Sequence, residues 1–280
     1  MKLNGKVAIV TAAGRGIGKG IALALAREGA DIVVNSYREE TARAVSAEIE
    51  AIGRKTLFVA GDITRPDKIM QLADEAIKTF GRIDILVNNV GGGGAGDRKP
   101  GSEPLAEEVL LWDSRYEQNL RAPVLMCEAI IPHFKEQNSG KIINIASVSG
   151  RAGMPFASES NAVYGCMKAG LIRYTQLLAD RLGASNINAN CICPGLVYTD
   201  VHKVVMERAV QSPKFQGYEP RQLWLEAIEG KRPEWNWPNI PLKRDQTVED
   251  IAQAVVFLAS DNAVNITGQA LNIDGGIIKS

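Results

Sequence analysis

The chain has 280 residues, enough for one large α/β domain with a sizeable core. Hydrophobic residues make up 45% and charged residues 23%, and Lys plus Arg equals Asp plus Glu at 32 each. That zero balance excludes the electrostatic footprint of a nucleic-acid or anionic-membrane binder, and no apolar run approaches the ~18 residues of a spanning helix.

Lys6-Val7-Ala8-Ile9-Val10-Thr11 is a β-branched apolar run and reads as a buried strand. No basic-then-apolar leader precedes it, so no signal peptide is expected and the localisation expected is cytoplasmic. Ala12-Ala13-Gly14-Arg15-Gly16-Ile17-Gly18 follows at once, and then Ile21, Ala22, Leu25 and Ala26 at helical spacing. Strand, glycine-rich turn and helix make the first half of a dinucleotide-binding βαβ unit. Glycines let the backbone approach a pyrophosphate, whose charge sits against the helix N-terminus. The GxGxxG string itself is absent. An ordinary glycine-rich βα turn is the alternative.

Further strands are predicted at about 31–35, 56–60, 83–87, 141–146, 187–193 and 270–273, with helical segments between most of them. Alternation of this kind implies a doubly wound parallel sheet of the Rossmann-like α/β class: three layers, one domain over residues 1–280, ligands at the carboxyl ends of the strands. No internal repeat and no dividing linker is present. Cys127, Cys166, Cys191 and Cys193 have no metal-site spacing and read as reduced core or near-core thiols. His133 and His202 are not clustered with acids, so no metal is expected. His202 either meets substrate or is a partly exposed loop or helix residue.

Tyr164 and Lys168 are four apart in Tyr164-Gly165-Cys166-Met167-Lys168. On a helix they share one face, one turn apart. An ammonium beside a phenol favours the phenolate and lowers the tyrosine pKa, which suits proton exchange with an alcohol. A lone pair at this spacing is also what two surface neighbours look like.

Together these segments resemble the short-chain dehydrogenases/reductases, the single-domain branch of that family, over nearly the whole chain and in order. Thr11-x-x-x-x-Gly16-Ile17-Gly18 looks like the TGxxxGxG turn, with Ala12 in place of its first glycine; Gly14 and Arg15 lie inside it. Asp62 and Ile63 match the adenine contact after the third strand. Asn88-Asn89-Val90-Gly91 matches NNAG, with Val90 for alanine. The resemblance implies a catalytic tetrad of Asn119, Ser147, Tyr164 and Lys168. It also implies nicotinamide contacts from Pro194, Gly195, Val197 and Thr199, and a closing strand spanning Ile266-Thr267-Gly268-Gln269 and Asp274-Gly275-Gly276. In that chemistry a hydride moves between nicotinamide and a carbonyl carbon. Tyr164 exchanges the proton, Ser147 fixes the oxygen, Lys168 tunes Tyr164 and holds the ribose, and Asn119 holds a water leading to Lys168. From Ser147 to Tyr164 is 17 positions, longer than is common in the family. Ser149, Ser158 and Ser160 are rival serines.

An NAD enzyme ends its second strand in an acid; Ser36 stands there instead, with Arg38 and Arg15 near. Two guanidiniums and a hydroxyl suit a 2′-phosphate, so NADP(H) is expected, with NAD(H) the alternative and Arg38 as a solvated residue beside Glu39 and Glu40 the bland reading. The segment from Gly91 to Pro104, with its glycine run Gly91 to Gly96, and the segment from Thr199 to Pro241 exceed the family's minimal plan and are both expected to border the substrate. Residues 200–241 are expected to form a substrate lid with a short helix at Leu223, Trp224, Ala227 and Ile228. Trp224, Trp235 and Trp237 in it either wall a pocket for a bulky or apolar carbonyl compound or pack the lid or a subunit contact. Arg98, Lys99 and Arg151 either bind an anionic substrate group or are solvated. The resemblance implies a homodimer or homotetramer. The partner expected is a small carbonyl or alcohol substrate. The alternatives are a non-catalytic dinucleotide sensor, which usually lacks a tetrad member, or a same-fold enzyme of other chemistry.

Overall fold

The structure is a computed structural model that describes residues 1–92, 104–152, 159–235 and 237–279. The strands are β1 (Val7–Val10), β2 (Asp31–Ser36), β3 (Thr56–Ala60), β4 (Ile85–Asn88), β5 (Gly140–Ile145), β6 (Ile187–Pro194) and β7 (Ala270–Ile273). All neighbours in this sheet pair parallel, in the order β3-β2-β1-β4-β5-β6-β7. Strand order reverses between β1 and β4, and the crevice there is where such sheets take ligands.

The helices are α1 (Gly16–Arg27), α2 (Glu39–Ala51), α3 (Pro66–Phe80), α4 (Pro104–Tyr116), α5 (Ala122–Gln137), α6 (Glu159–Leu182), α7 (Asp200–Ala209), α8 (Pro220–Ile228) and α9 (Val248–Ala259). Side chains alternate across each strand, so β1 feeds both faces. Ala8 and Val10 pack under α1, α2 and α9 with Ile21, Leu25, Ile49 and Val255. Val7 and Ile9 pack under α3, α5 and α6 with Leu72, Ile130, Phe134 and Leu178. Both layers are buried, each large aliphatic side chain contributing about 1.5–3 kcal/mol by leaving water. The three-layer, doubly wound single domain expected from the alternation is the one observed. Between α4 and α5 the backbone takes a π-helical turn, Glu117–Arg121. No helix among the described residues is long and apolar enough to cross a membrane.

Cys127, Cys191 and Cys193 are buried free thiols, as expected of core cysteines; Cys166 is the exception, exposed on α6. Ser158, Arg98, Lys99 and most of the glycine run after Gly92 lie outside the described residues.

Candidate active site

The turn after β1 is held by β4. Thr11 Oγ1 accepts from the N–H of Asn89 at 3.0 Å and of Val90 at 3.2 Å. Asn89 Nδ2 donates to the carbonyls of Thr11 and Ala12, each at 3.2 Å. That cross-link needs α1 to start very close: a Cβ on Gly18 would stand 2.5 Å from both the Ala12 carbonyl oxygen and Asn89 Nδ2. Arg15 caps α1 with no side-chain hydrogen bond, so the first-turn N–H groups are open to an anion. Gly16 packs toward Thr199, whose Cβ is 3.9 Å from where a Gly16 Cβ would sit. The two ends of the expected dinucleotide path, after β1 and after β6, are therefore adjacent.

Ala12 occupies the left-handed region, φ +50°. Its N–H donates to Asn35 Oδ1 at 3.2 Å, and the Ala13 N–H to the Asn35 carbonyl at 2.7 Å, which hold the conformation against the Cβ penalty. Ala12→Gly should therefore raise stability by about 1 kcal/mol, the relief of strain exceeding the added unfolded-state entropy. A Tm rise of roughly 2–3 °C in the ligand-free protein would register it, and an unchanged or lower Tm would contradict it.

Ser36 closes β2, buried, its hydroxyl 2.8 Å from Thr41 Oγ1, with Gly14 against both. Arg15 and Arg38 are exposed and, among the described residues, outside any ion pair, whereas Glu39 is taken by Arg43 at 2.7 Å. Asp62 Oδ1 accepts from the Thr64 N–H and hydroxyl at 3.0 and 2.8 Å, which orients the carboxylate after β3; Ile63 beside it is buried.

The four candidate residues come from three elements, the π turn, the end of β5 and α6, and lie toward the carboxyl edge of the sheet. Tyr164 and Lys168 share a face of α6, with Lys168 Nζ 5.7 Å from the Tyr164 ring centroid. Ser147, at the end of β5, stands beside the Tyr164 phenol, where its hydroxyl favours the ionised form, and its Oγ accepts from the Ser149 N–H at 3.1 Å. Ser147 thus faces the phenol while Ser149 supports it from the backbone; the Ser160 side chain lies outside what the structure describes. Asn119 is buried in the π turn, a distortion that often marks functional sites. Its Nδ2 donates to the carbonyls of Gly92 (3.2 Å) and Arg115 (3.1 Å), and its Oδ1 accepts from the Gly92 N–H at 3.0 Å. Both amide hydrogens are used, leaving one Oδ1 lone pair for a water. Gly91, φ +142°, is where these groups meet: a Cβ there would lie 2.6 Å from Asn119 Oδ1 and 2.9 Å from Lys168 Nζ.

The ammonium does not lower the phenol pKa in this arrangement, contrary to the expectation from spacing. Burial raises Tyr164 above its ordinary value, and the Ser147 hydroxyl opposes that rise. Lys168 is itself buried, which pulls its pKa down to about 8, and its Nζ donates to the Ile145 carbonyl at 2.9 Å. An ammonium that is costly to charge is a weak source of field for its neighbour.

Beyond Val197 and Tyr198 the chain makes an aromatic cluster of its own. Trp224 is fully buried, its ring centroid 5.1 Å from Tyr198, 5.0 Å from His202 and 5.0 Å from Trp237. Trp235 meets Phe215 at 5.5 Å and Trp237 at 5.4 Å. The short helix expected around Leu223–Ile228 is α8, and its apolar face fills this cluster. These contacts are those of the packing alternative for the tryptophans. The sequence reading missed Asp245, which accepts from Trp224 Nε1 at 2.6 Å and pairs with Arg221, tying α8 to the strand-like bridge Val197↔Gln246. An isolated acid in a polar stretch carries no signal of that role. Arg151 donates to the Ala270 carbonyl at 3.4 Å and is half-buried, so part of its guanidinium faces β7. Among the described residues no cluster of three or more His, Cys, Asp or Glu could hold a metal.

The comparisons with known proteins agree with this geometry. Residues 6–209 match the family model described as short chain dehydrogenase, and residues 226–278 match one described as enoyl-(acyl carrier protein) reductase. A 3-oxoacyl-(acyl-carrier-protein) reductase of Synechocystis sp. is 34% identical over 99% of this chain and 98% of its own. A solved 7α-hydroxysteroid dehydrogenase, bound to NADH and 7-oxo glycochenodeoxycholic acid, is 32% identical with a TM-score of 0.79, covering 100% of this chain and 96% of its own. The L-sorbose reductase of Gluconobacter frateurii, bound to NADPH and L-sorbose, is 27% identical with a TM-score of 0.84 and full coverage of both chains. With those matches spanning the sheet, the glycine turn and the Tyr164–Lys168 helix, the chain belongs to the short-chain dehydrogenase/reductase family, NAD(P)-dependent oxidoreductases of carbonyl and alcohol groups.

Proposed function

We propose that the protein is an NADP(H)-dependent ketone reductase or secondary-alcohol dehydrogenase with Tyr164 as its general acid and base. The observation that carries this is a chain of neighbours: Asn119 and Lys168 meet at Gly91, Lys168 lies beside the Tyr164 ring, and Ser147 beside the Tyr164 phenol, next to the point where the strand order reverses. The residues present fit a dinucleotide: an uncapped α1 N-terminus for the pyrophosphate, Asp62 and Ile63 for adenine, Asn89 and Gly91 along the crevice, and Pro194, Gly195, Val197 and Thr199 for the nicotinamide end.

When bound, the dinucleotide supplies the hydride. Tyr164, kept protonated by burial, donates its proton to the carbonyl oxygen in the reducing direction and takes it back in the oxidising one. Ser147 donates a hydrogen bond to the same oxygen and holds it opposite the phenol. Lys168, with a pKa near 8, exchanges protons close to neutral pH and would refill Tyr164 through a water held at Asn119 Oδ1; it would also hold the ribose. Residues 200–241, packed on their own aromatic core, cover the site as a lid that excludes water.

NADP(H) is favoured because Ser36 and two arginines, outside any ion pair among the described residues, stand where a discriminating carboxylate would be. Titration of the wild-type chain with NADPH and NADH, each followed by ketone-dependent loss of nicotinamide absorbance, tests the reading. NADPH is expected to bind more tightly, and Ser36→Asp to weaken it roughly tenfold or more while sparing NADH, because a carboxylate repels the 2′-phosphate. Tighter NADH binding by the wild type would overturn the cofactor assignment, and binding of neither the whole proposal. A homodimer or homotetramer is also proposed: Leu105, Val109, Leu110, Trp112 and Tyr116 on α4 and Leu177 on α6 are exposed apolar side chains suited to a subunit contact.

A further inference from the structure

His202 belongs to none of the motifs shared with the family. It lies on the first turn of α7, three residues after Thr199. Thr199 is the residue before that helix, yet its hydroxyl does not cap it. The hydroxyl lies instead 3.3 Å from His202 Nδ1. The other side of the imidazole is fixed as well. Its ring faces Trp224, centroids 5.0 Å apart at 56°. Trp224 cannot shift easily, being fully buried, held through Nε1 by Asp245 at 2.6 Å, and packed on Tyr198 and Trp237. The Val197 backbone lies close enough to the ring to favour its protonated form. A half-buried imidazole with partners on three sides has one orientation available, and it passes that orientation to Thr199.

We infer that His202 is a positioning residue for the nicotinamide end of the dinucleotide: it aims the Thr199 hydroxyl and locks it to the aromatic core of the lid. It takes this role only in a dinucleotide site, so the inference rests on the function proposed above. The chemistry suits the task. A free threonine hydroxyl at a helix start would turn back to cap its own N–H groups; the imidazole competes for it and turns it outward. Burial holds the His202 pKa below the ordinary histidine range, so the ring is neutral near pH 7 and keeps a lone pair for the hydroxyl. Because the same ring rests on Trp224, any movement of the lid core reaches Thr199 through two side-chain contacts. The lid and the cofactor would then close as one unit.

The test separates the nicotinamide from the rest of the ligand. Dissociation constants are measured on the full-length protein for NADPH and for 2′-phospho-ADP-ribose, which lacks the nicotinamide. His202→Phe keeps a ring against Trp224 and removes Nδ1. It is expected to weaken NADPH by about three- to tenfold, the loss of one hydrogen bond, and to leave 2′-phospho-ADP-ribose unchanged. His202→Asn, which places an amide atom near the Nδ1 position, should restore most of the NADPH affinity. In a Thr199→Val background His202→Phe should have no further effect, since the two changes remove the same interaction. Should His202→Phe not fold, His202→Gln, which carries its amide past Thr199, replaces it in both measurements. Equal weakening of both ligands, or of neither, would overturn the positioning role. A wild type that binds neither NADPH nor NADH would overturn the dinucleotide reading and this inference with it.

Discussion

Replacing Tyr164 by phenylalanine is expected to lower kcat by roughly 10²–10⁴-fold, the usual contribution of a positioned general acid. The NADPH dissociation constant should stay within about twofold of wild type, because the phenol hydroxyl acts on the substrate oxygen in the transition state rather than on the bound ground state. Phenylalanine retains the ring, so the fold is not disturbed. The pH dependence carries a further signature. Burial holds the Tyr164 pKa above the ordinary phenol value, so the reducing reaction should keep its proton donor across the neutral range and lose it only at strongly alkaline pH. Single-turnover reduction, followed at the nicotinamide band, reads both effects. Retention of most of kcat in Tyr164→Phe would remove Tyr164 from the acid role and turn attention to Ser147.

Lys168→Met is expected to do two opposite things. It should abolish most turnover, because no group then refills Tyr164 with protons, and it should stabilise the ligand-free fold. Lys168 is 3% exposed, its pKa is drawn from 10.5 to about 8, and its ammonium donates to the Ile145 carbonyl. A depressed lysine pKa means that the unfolded chain binds the proton more tightly than the native one. The penalty is therefore full below pH 8, about 3 kcal/mol by the size of the shift, and fades as pH rises from 8 toward 10.5. Lys168→Met removes it, less the cost of the lost hydrogen bond. Denaturant unfolding at pH 7 should show the variant more stable by about 2 kcal/mol, with the difference shrinking toward pH 10.5. A variant less stable than wild type at pH 7 would show that the buried ammonium is better solvated than its surroundings imply. The combination, more stable and less active, is the mark of a site that holds an unfavourable charge for its chemistry.

Much of this protein is legible in the order of its amino acids. The strand and helix periods, the glycine turn and the order of the motifs depend on residues close in sequence. A doubly wound sheet follows once strands and helices alternate, because right-handed crossovers leave few other topologies. The proposed tetrad is legible there too, since Tyr164 and Lys168 report their shared helix face by spacing alone and Ser147 and Asn119 by their resemblance to family motifs. The sequence also shows the missing carboxylate at Ser36 and the aromatic richness of residues 200–241.

What the sequence could not carry depends on which side chains surround a group. Spacing placed Lys168 beside Tyr164 and implied a lowered phenol pKa; the fold buries Lys168 and half-buries Tyr164, and desolvation shifts each toward its neutral form. Ala12 looks like a simple departure from a glycine motif, and only the Asn35 hydrogen bonds show that alanine is held in the glycine's conformation. The tryptophans are readable as a pocket wall or as packing, and the contacts of Trp224 with Tyr198, His202 and Trp237 are those of packing. Asp245 and His202 carry no motif at all, since each acts on a partner brought near by the folding of residues 199–245. Periodicity and motif order are properties of the chain, so the sequence determined the fold and named the candidate site residues. Burial, hydrogen-bond partnership and strain are properties of the packed molecule, and the tertiary structure alone decided how those residues are charged, aimed and held.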